Sequence, residues 1–296
     1  MLIKWRYFIP THRKNMNEVE FMIYETINIK VDYKSAGIDY EGLDPTLTVY
    51  APQKSEEIKR EPYPTVLIFP GGGYDYCSDR EADPVALRFM GLGIASFVLR
   101  YSCVKKKFPT ALLEALSALK YIRENADRFF VDPNKISVMG FSAGGHLAAS
   151  VSNFYHDKDI LSVLNATENE VKPNKSVLCY PVITSGSFTH ESSILNLLAD
   201  GGDENLRKKL SLETQVSGKT PETFLWHTAD DGCVPIENTL YYMTALSKHK
   251  IPFEAHIYEW GGHGMSLCDE TIMSEPHHVS PVNAGWVNAA ADFMKR

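Results

Sequence analysis

The stretch "VMGFSAGGHLAAS", residues 138–150, decides how this chain folds. An apolar run ends at Phe141, Ser142 follows, and a segment of small residues opens directly behind it. That order is the outline of a strand turning sharply into a helix. Gly140 and Gly144 flank the serine in the pattern G-x-S-x-G, where a side chain at either glycine would crowd the turn. Two readings stand at this point. In one, the turn forces Ser142 into a strained backbone and sets its hydroxyl at a helix N-terminus, where free N–H groups favour the negative charge of acyl transfer. In the other, a serine caps a glycine-rich turn. A phosphate loop fits less well, because the lysine of G-x-x-x-x-G-K-[ST] is missing.

Outward from this turn, short apolar runs rich in β-branched and aromatic residues alternate with longer amphipathic ones. "TVLIFP" (65–70), "IASFVLRY" (94–101), "KISVMGF" (135–141), "KSVLCYP" (175–181), "ETFLWHT" (222–228) and "FEAHIYE" (253–259) read as buried central strands. "FMIYETINIKV" (21–31) and "TLTVYAP" (46–52) read as an opening pair, antiparallel at a sheet edge. Helical patterns lie between: "ADPVALRFMGLG", with proline in its first turn and glycine at its end, then "TALLEALSALKYIRENADRF", "AGGHLAASVSNFY", "PIENTLYYMTALSKHK" and "VNAAADFMKR". Strand and helix in alternation predict an α/β fold with a mostly parallel central sheet covered by helices on both faces. Residues 155–172 and 184–221 break the rhythm and read as small cap-like insertions over the sheet edge where ligands bind in such folds.

Composition sets bounds on this reading. With 296 residues, 44% hydrophobic and 23% charged, the chain can bury one sizeable core, so residues 17–296 are expected to form a single domain with insertions. Residues 1–16 are unlike the rest of the chain in pattern and are expected to be a loosely ordered extension. The net charge is −7 and the basic residues are dispersed, which argues against nucleic acid as a partner. Five widely separated cysteines with no C-x-x-C fit thiols in a reducing compartment. The N-terminus lacks the apolar stretch of a signal peptide and no run approaches a membrane span. A soluble, cytoplasmic protein without membrane contact is expected.

A second glycine cluster, "IFPGGGYDYCSDRE", follows a predicted strand. It is either a flexible turn or, paired with the serine turn, an oxyanion hole in which the N–H groups of Gly72 and Gly73 join that of Ala143. A serine hydroxyl needs a base, and the base an orienting acid; in such folds the acid and then the histidine follow the serine in chain order. Downstream, "FLWHTADDGCVP" places Asp230 and Asp231 after a strand, and "IYEWGGHGMSL" places His263 in a glycine-flanked loop after the last strand. His227 and His256 lie inside strands and read as packed residues, His146 on the helix after the serine as structural, and His277 and His278 as members of a polar loop. The absence of H-E-x-x-H argues against a zinc enzyme.

Together "PGGGY", "GFSAGGHLA", "HTADDGCVP" and "GGHG" resemble the α/β-hydrolase esterases, and within them the acetyl-esterase and acetyl-xylan-esterase-like group. The resemblance spans roughly residues 20 to 296. It implies an α/β-hydrolase fold with Ser142 as nucleophile, His263 as base and Asp231 as acid; the family pattern H-G-x-x-D-x-x-V-P aligns with His227 through Pro235 and selects Asp231 over Asp230. Two departures stand out. The better-known His-Gly-Gly-Gly is Pro70-Gly71-Gly72-Gly73 here, and Phe141 replaces the aspartate of Gly-Asp-Ser-Ala-Gly-Gly. Both point toward the sugar-ester deacetylases. Arg80 and Glu81 fit that pattern, with a structural ion pair as the other reading.

The expected activity is a serine carboxylesterase acting on short acyl esters, acetyl esters above all, with an acetylated sugar or xylan oligosaccharide as the implied substrate. Tyr74, Tyr76 and Trp260 are candidate pocket residues. The alternatives are a prolyl-oligopeptidase-type peptidase, whose large extra domain does not fit this length, and a non-catalytic binding protein on a hydrolase scaffold. The chemistry requires no metal or organic cofactor. A homodimer is common in such folds, but no sequence feature demonstrates one.

Overall fold

The computed structural model describes residues 22–104, 106–199 and 203–296, so the extension expected at residues 1–16 lies outside the described residues. Among the described residues eight strands form one sheet: β1 (Met22–Asn28), β2 (Thr46–Pro52), β3 (Tyr63–Phe69), β4 (Ala95–Arg100), β5 (Val131–Phe141), β6 (Lys175–Cys179), β7 (Glu222–Thr228) and β8 (Phe253–Tyr258). Their spatial order is β1-β2-β4-β3-β5-β6-β7-β8. The two opening strands run antiparallel, β2 pairs antiparallel with β4, and every later pairing is parallel.

The helices are α1 (Asp83–Gly91), α2 (Thr110–Glu124), α3 (Ala126–Phe129), α4 (Ala143–Phe154), α5 (Lys158–Leu164), α6 (Glu168–Val171), α7 (Glu191–Leu198), α8 (Glu204–Lys209), α9 (Glu237–Lys248) and α10 (Trp286–Lys295). Two buried layers arise from the alternation of side chains along each strand. Leu67, Phe97 and Val138 face the side covered by α2, α4 and α9, while Val66, Val98 and Phe224 face the side covered by α1 and α10. Trp226 and Trp286 stack at 5.1 Å between ring centroids and anchor α10 on that second face. No helix among the described residues is long and apolar enough to cross a membrane.

Three expectations are corrected. The single long pattern over residues 110–129 is broken at Asn125 into α2 and α3. The run 253–259 is not central: among the described residues β8 ends the sheet with only β7 beside it, and Phe253 and Ile257 are exposed. The segment 155–172 is no cap over the site. Its helices α5 and α6 pack against α2, and Arg123 of that helix donates to the carbonyls of Glu170 and Lys172. It follows α4 out to the amino ends of the strands, where Asn174 exchanges hydrogen bonds with Ile136 near the start of β6. Only the second insertion, 184–221, reaches the carboxyl ends.

Candidate active site

The serine stands where β5 gives way to α4. Its backbone has φ 52° and ψ −119°, a conformation that side chains disfavour, and it is held there from both sides. Ser142 N–H donates to the carbonyl of Cys179 on β6, and its own carbonyl accepts from Val182 and His146. A methyl group on Gly140 would overlap the carbonyl oxygen of Gly144, and one on Gly144 would overlap that of Phe69. The turn therefore exists only with glycine at both positions.

The Ser142 hydroxyl lies 2.8 Å from His263 Nε2, and His263 Nδ1 lies 2.6 Å from Asp231 Oδ2. These three residues come from the carboxyl ends of β5, β8 and β7 respectively, so the parallel register of the sheet brings them together. Asp231 is fixed at both oxygens. Oδ1 takes the N–H groups of Cys233 and Val234, at 2.9 and 2.8 Å, while Oδ2 is shared between His263 and His227. Burial alone would raise this carboxyl, but the hydrogen bonds from His227 and His263 outweigh it and hold Asp231 well below the ordinary carboxylate range.

His227 is wholly buried and is more than packing. Its Nε2 faces two groups that can only accept, Asp231 Oδ2 at 3.1 Å and the Val234 carbonyl at 3.0 Å, so Nε2 carries the proton; Thr239 then donates to Nδ1 at 2.7 Å. Asp230 points elsewhere. Its Oδ1 accepts from Gly262 N–H, 2.9 Å away, and so shapes the loop that carries His263.

The glycine loop faces this group across a cleft of about 360 Å³ that both Gly72 and Gly73 line together with Ser142 and His263. Its peptide planes are pinned from behind. Ser78 N–H donates to the Gly71 carbonyl, and Asp75 and Tyr76 N–H donate to that of Gly72, so the N–H groups of Gly72 and Gly73 point the opposite way. Ala143 supplies a third N–H from the unpaired first turn of α4. The loop's base is a buried carboxylate: Glu81 accepts from Gly71 N–H at 2.8 Å and from the Tyr180 hydroxyl at 2.7 Å. Arg80 instead donates to the Gly264 carbonyl beside His263, at 2.9 Å. Arg80 and Glu81 thus serve two separate loops and form no ion pair.

The three aromatic candidates separate. Tyr76 lines the cleft and is exposed. Tyr74 is buried beneath the loop, its hydroxyl 3.0 Å from His146 Nδ1, and does not line the cleft. Trp260 is exposed but is not among the lining residues. His146 is structural, with Nε2 donating to the Leu210 carbonyl, and His278 accepts the N–H of Glu275 in a tight turn. His256 pairs with Glu254 on the edge strand. The second insertion was expected at this edge, but sequence reasoning singled out none of its residues that line the cleft, His190, Ser192 and Asn196. Among the described residues no cluster of side chains suited to a metal ion is present.

Comparison with known proteins yields one consistent group. Residues 47–246 match the family model described as BD-FAE. The chain is 36% identical over 239 residues to endo-1,4-beta-xylanase B of Butyrivibrio fibrisolvens, covering 79% of this chain and 36% of that one. It is 30% identical over 208 residues to an acetylxylan esterase of Xylanibacter ruminicola, covering 68% of this chain and 41% of the relative. It thus spans about two fifths or less of these two relatives. An acetyl ester-xyloside bifunctional hydrolase from Caldicellulosiruptor lactoaceticus superposes with a TM-score of 0.78 at 35% identity, covering 92% of this chain and 95% of that one.

Proposed function

This chain belongs to the BD-FAE family and has the α/β-hydrolase fold, and from that premise we propose that it is a serine carboxylesterase that removes short acyl groups, acetate above all, from the hydroxyl groups of sugars or xylan oligosaccharides. The observation that carries the reading is the run of hydrogen bonds from Ser142 through His263 to Asp231, placed opposite the glycine loop.

In this reading His263 Nε2 takes the proton of Ser142 as the hydroxyl attacks the ester carbonyl, and Asp231 holds the imidazole in the tautomer with Nδ1 protonated. The negative oxygen of the tetrahedral intermediate is received by the N–H groups of Gly72, Gly73 and Ala143. His263 returns its proton to the departing alcohol, and water then repeats the sequence to release the acid. Acetate is supported by the lining of the cleft, which among the described residues includes no aliphatic side chain to hold a longer chain. The sugar is supported by the names of the relatives. An odd number of cysteines, widely separated along the chain and with no C-x-x-C, supports a reducing compartment.

Turnover of p-nitrophenyl esters from acetate to decanoate tests the proposal. Activity is expected to be highest on acetate and to fall with chain length. A rate rising toward decanoate overturns the short-acyl reading, and turnover of no ester overturns the esterase.

A further inference from the structure

The second insertion enters the cleft through the start of α7, and the triad and oxyanion chemistry give its His190 and Ser192 no part. His190 precedes the helix and Ser192 lies in its first turn, both lining the same cavity as Ser142. The His190 ring overhangs the oxyanion loop: its Cε1 lies 3.9 Å from where a side chain on Gly73 would begin. Its place is fixed by buried partners. The hydroxyl of Ser193, fully buried, sits 2.8 Å from His190 Nδ1, and Asn196 one turn later donates to the Gly73 carbonyl at 2.9 Å. A second tie runs from Phe108 N–H to the Leu197 carbonyl. This wall is built to hold a position.

Its chemistry is that of a hydroxyl receptor. Burial and the neighbouring His263 hold the His190 imidazole below its ordinary value, in the neutral form. With Nδ1 engaged by Ser193, Nε2 and the Ser192 hydroxyl lie in long hydrogen-bond contact at 3.3 Å, a pair whose remaining hydroxyl donor and acceptor capacity faces the cleft and which a substrate hydroxyl can join. Asp75 adds a carboxylate to the lining, and the exposed ring of Tyr76 supplies a flat apolar face. Donor, acceptor, carboxylate and ring face together match vicinal hydroxyls on a pyranose rather than an alkyl or aryl alcohol.

We propose that His190 and Ser192 form the alcohol-side subsite of the cleft, and that its ligand is the polyhydroxylated leaving group of the ester. This rests on the esterase reading above and adds the residues that choose the alcohol.

The test measures kcat/KM on an acetylated methyl xyloside and on p-nitrophenyl acetate for wild type, His190→Phe and Ser192→Ala. Phenylalanine keeps the ring over Gly73 and removes its nitrogens. The ratio of the two kcat/KM values is expected to fall on the order of tenfold in each variant, mostly through KM for the sugar ester, as loss of one hydrogen bond to substrate predicts. Equal losses on both esters in both variants overturn the subsite while leaving the esterase standing. Wild-type turnover of p-nitrophenyl acetate with none of the xyloside overturns the sugar reading and the subsite together. Ser192→Ala guards against misfolding, because Ser192 is exposed and its hydroxyl supports no buried group.

Discussion

The hydroxyl of Tyr180 donates to Glu81 across 2.7 Å and also accepts the N–H of Ser266 at 2.9 Å. One phenol thus connects the end of β6, the foot of the glycine loop and the segment just past His263. The carboxylate it meets is buried and has Gly71 N–H as its other partner. Glu81→Gln preserves shape and leaves one oxygen for Gly71, so the fold is expected to survive with kcat reduced about tenfold, through a looser oxyanion loop. Glu81→Ala strands both buried donors and is expected to cost about 2–4 kcal/mol, read as a lower urea midpoint.

Ser142→Ala is expected to lower kcat/KM by about 10³-fold or more and to abolish labelling by a fluorophosphonate. Wild-type turnover in that variant removes Ser142 as nucleophile.

Asp231→Asn places an amide against His263, whose N–H then faces either a donor or a reoriented acceptor. A loss of about 10⁴-fold in kcat with an unchanged fold is expected, checked by circular dichroism beside the kinetics. His227→Leu removes one of the two side-chain donors to the same carboxylate oxygen and leaves His263 in place. It is expected to cost about 1–3 kcal/mol of stability, because Thr239 and the Val234 carbonyl lose a buried partner too.

Burial holds the His146 imidazole down to about 4 from its ordinary 6.5. Between those values the unfolded chain binds a proton that the folded chain refuses, so stability is full above the higher value and falls as pH drops toward the lower. Relative to neutral pH, the loss reaches about 3 kcal/mol once the pH lies below both values. Urea midpoints at pH 7.5 and pH 5 should therefore differ more in the wild type than in His146→Gln, which does not titrate. Equal pH dependence in both proteins contradicts this.

Much of the fold was legible because each strand announces itself twice, by apolar character and by β-branched or aromatic residues, as in "TVLIFP" and "KISVMGF". The serine turn was legible because sterics leave few residue types for it. Other features carry no such mark. Ala126 and Phe129 continue the apolar spacing of α2, which hid the break at Asn125. "FEAHIYE" has the composition of an inner strand, yet among the described residues no strand lies beyond it, and Phe253 and Ile257 stand in water. Tyr74 and Tyr76 stand two residues apart in one loop, yet a positive φ of 59° at Tyr74 helps send one ring inward and leave the other outside. A polar insertion does not say which end of a sheet it covers, so α5 and α6 could not be told from α7 by sequence. His190 belongs to no motif; its role rests on the buried contacts that place it.

Ser142 and His263 touch across 121 positions of chain, with β6 and β7 lying between their strands of origin. No local segment holds them together, and closing so long a loop is among the last entropic costs a chain meets on its way to the native state. Reactivity of this one hydroxyl is therefore a census of completed molecules: a population stalled with β7 and β8 undocked keeps most of its helices and still counts as zero. Labelling during refolding would time the docking of the last two strands, an event that helix content passes over in silence.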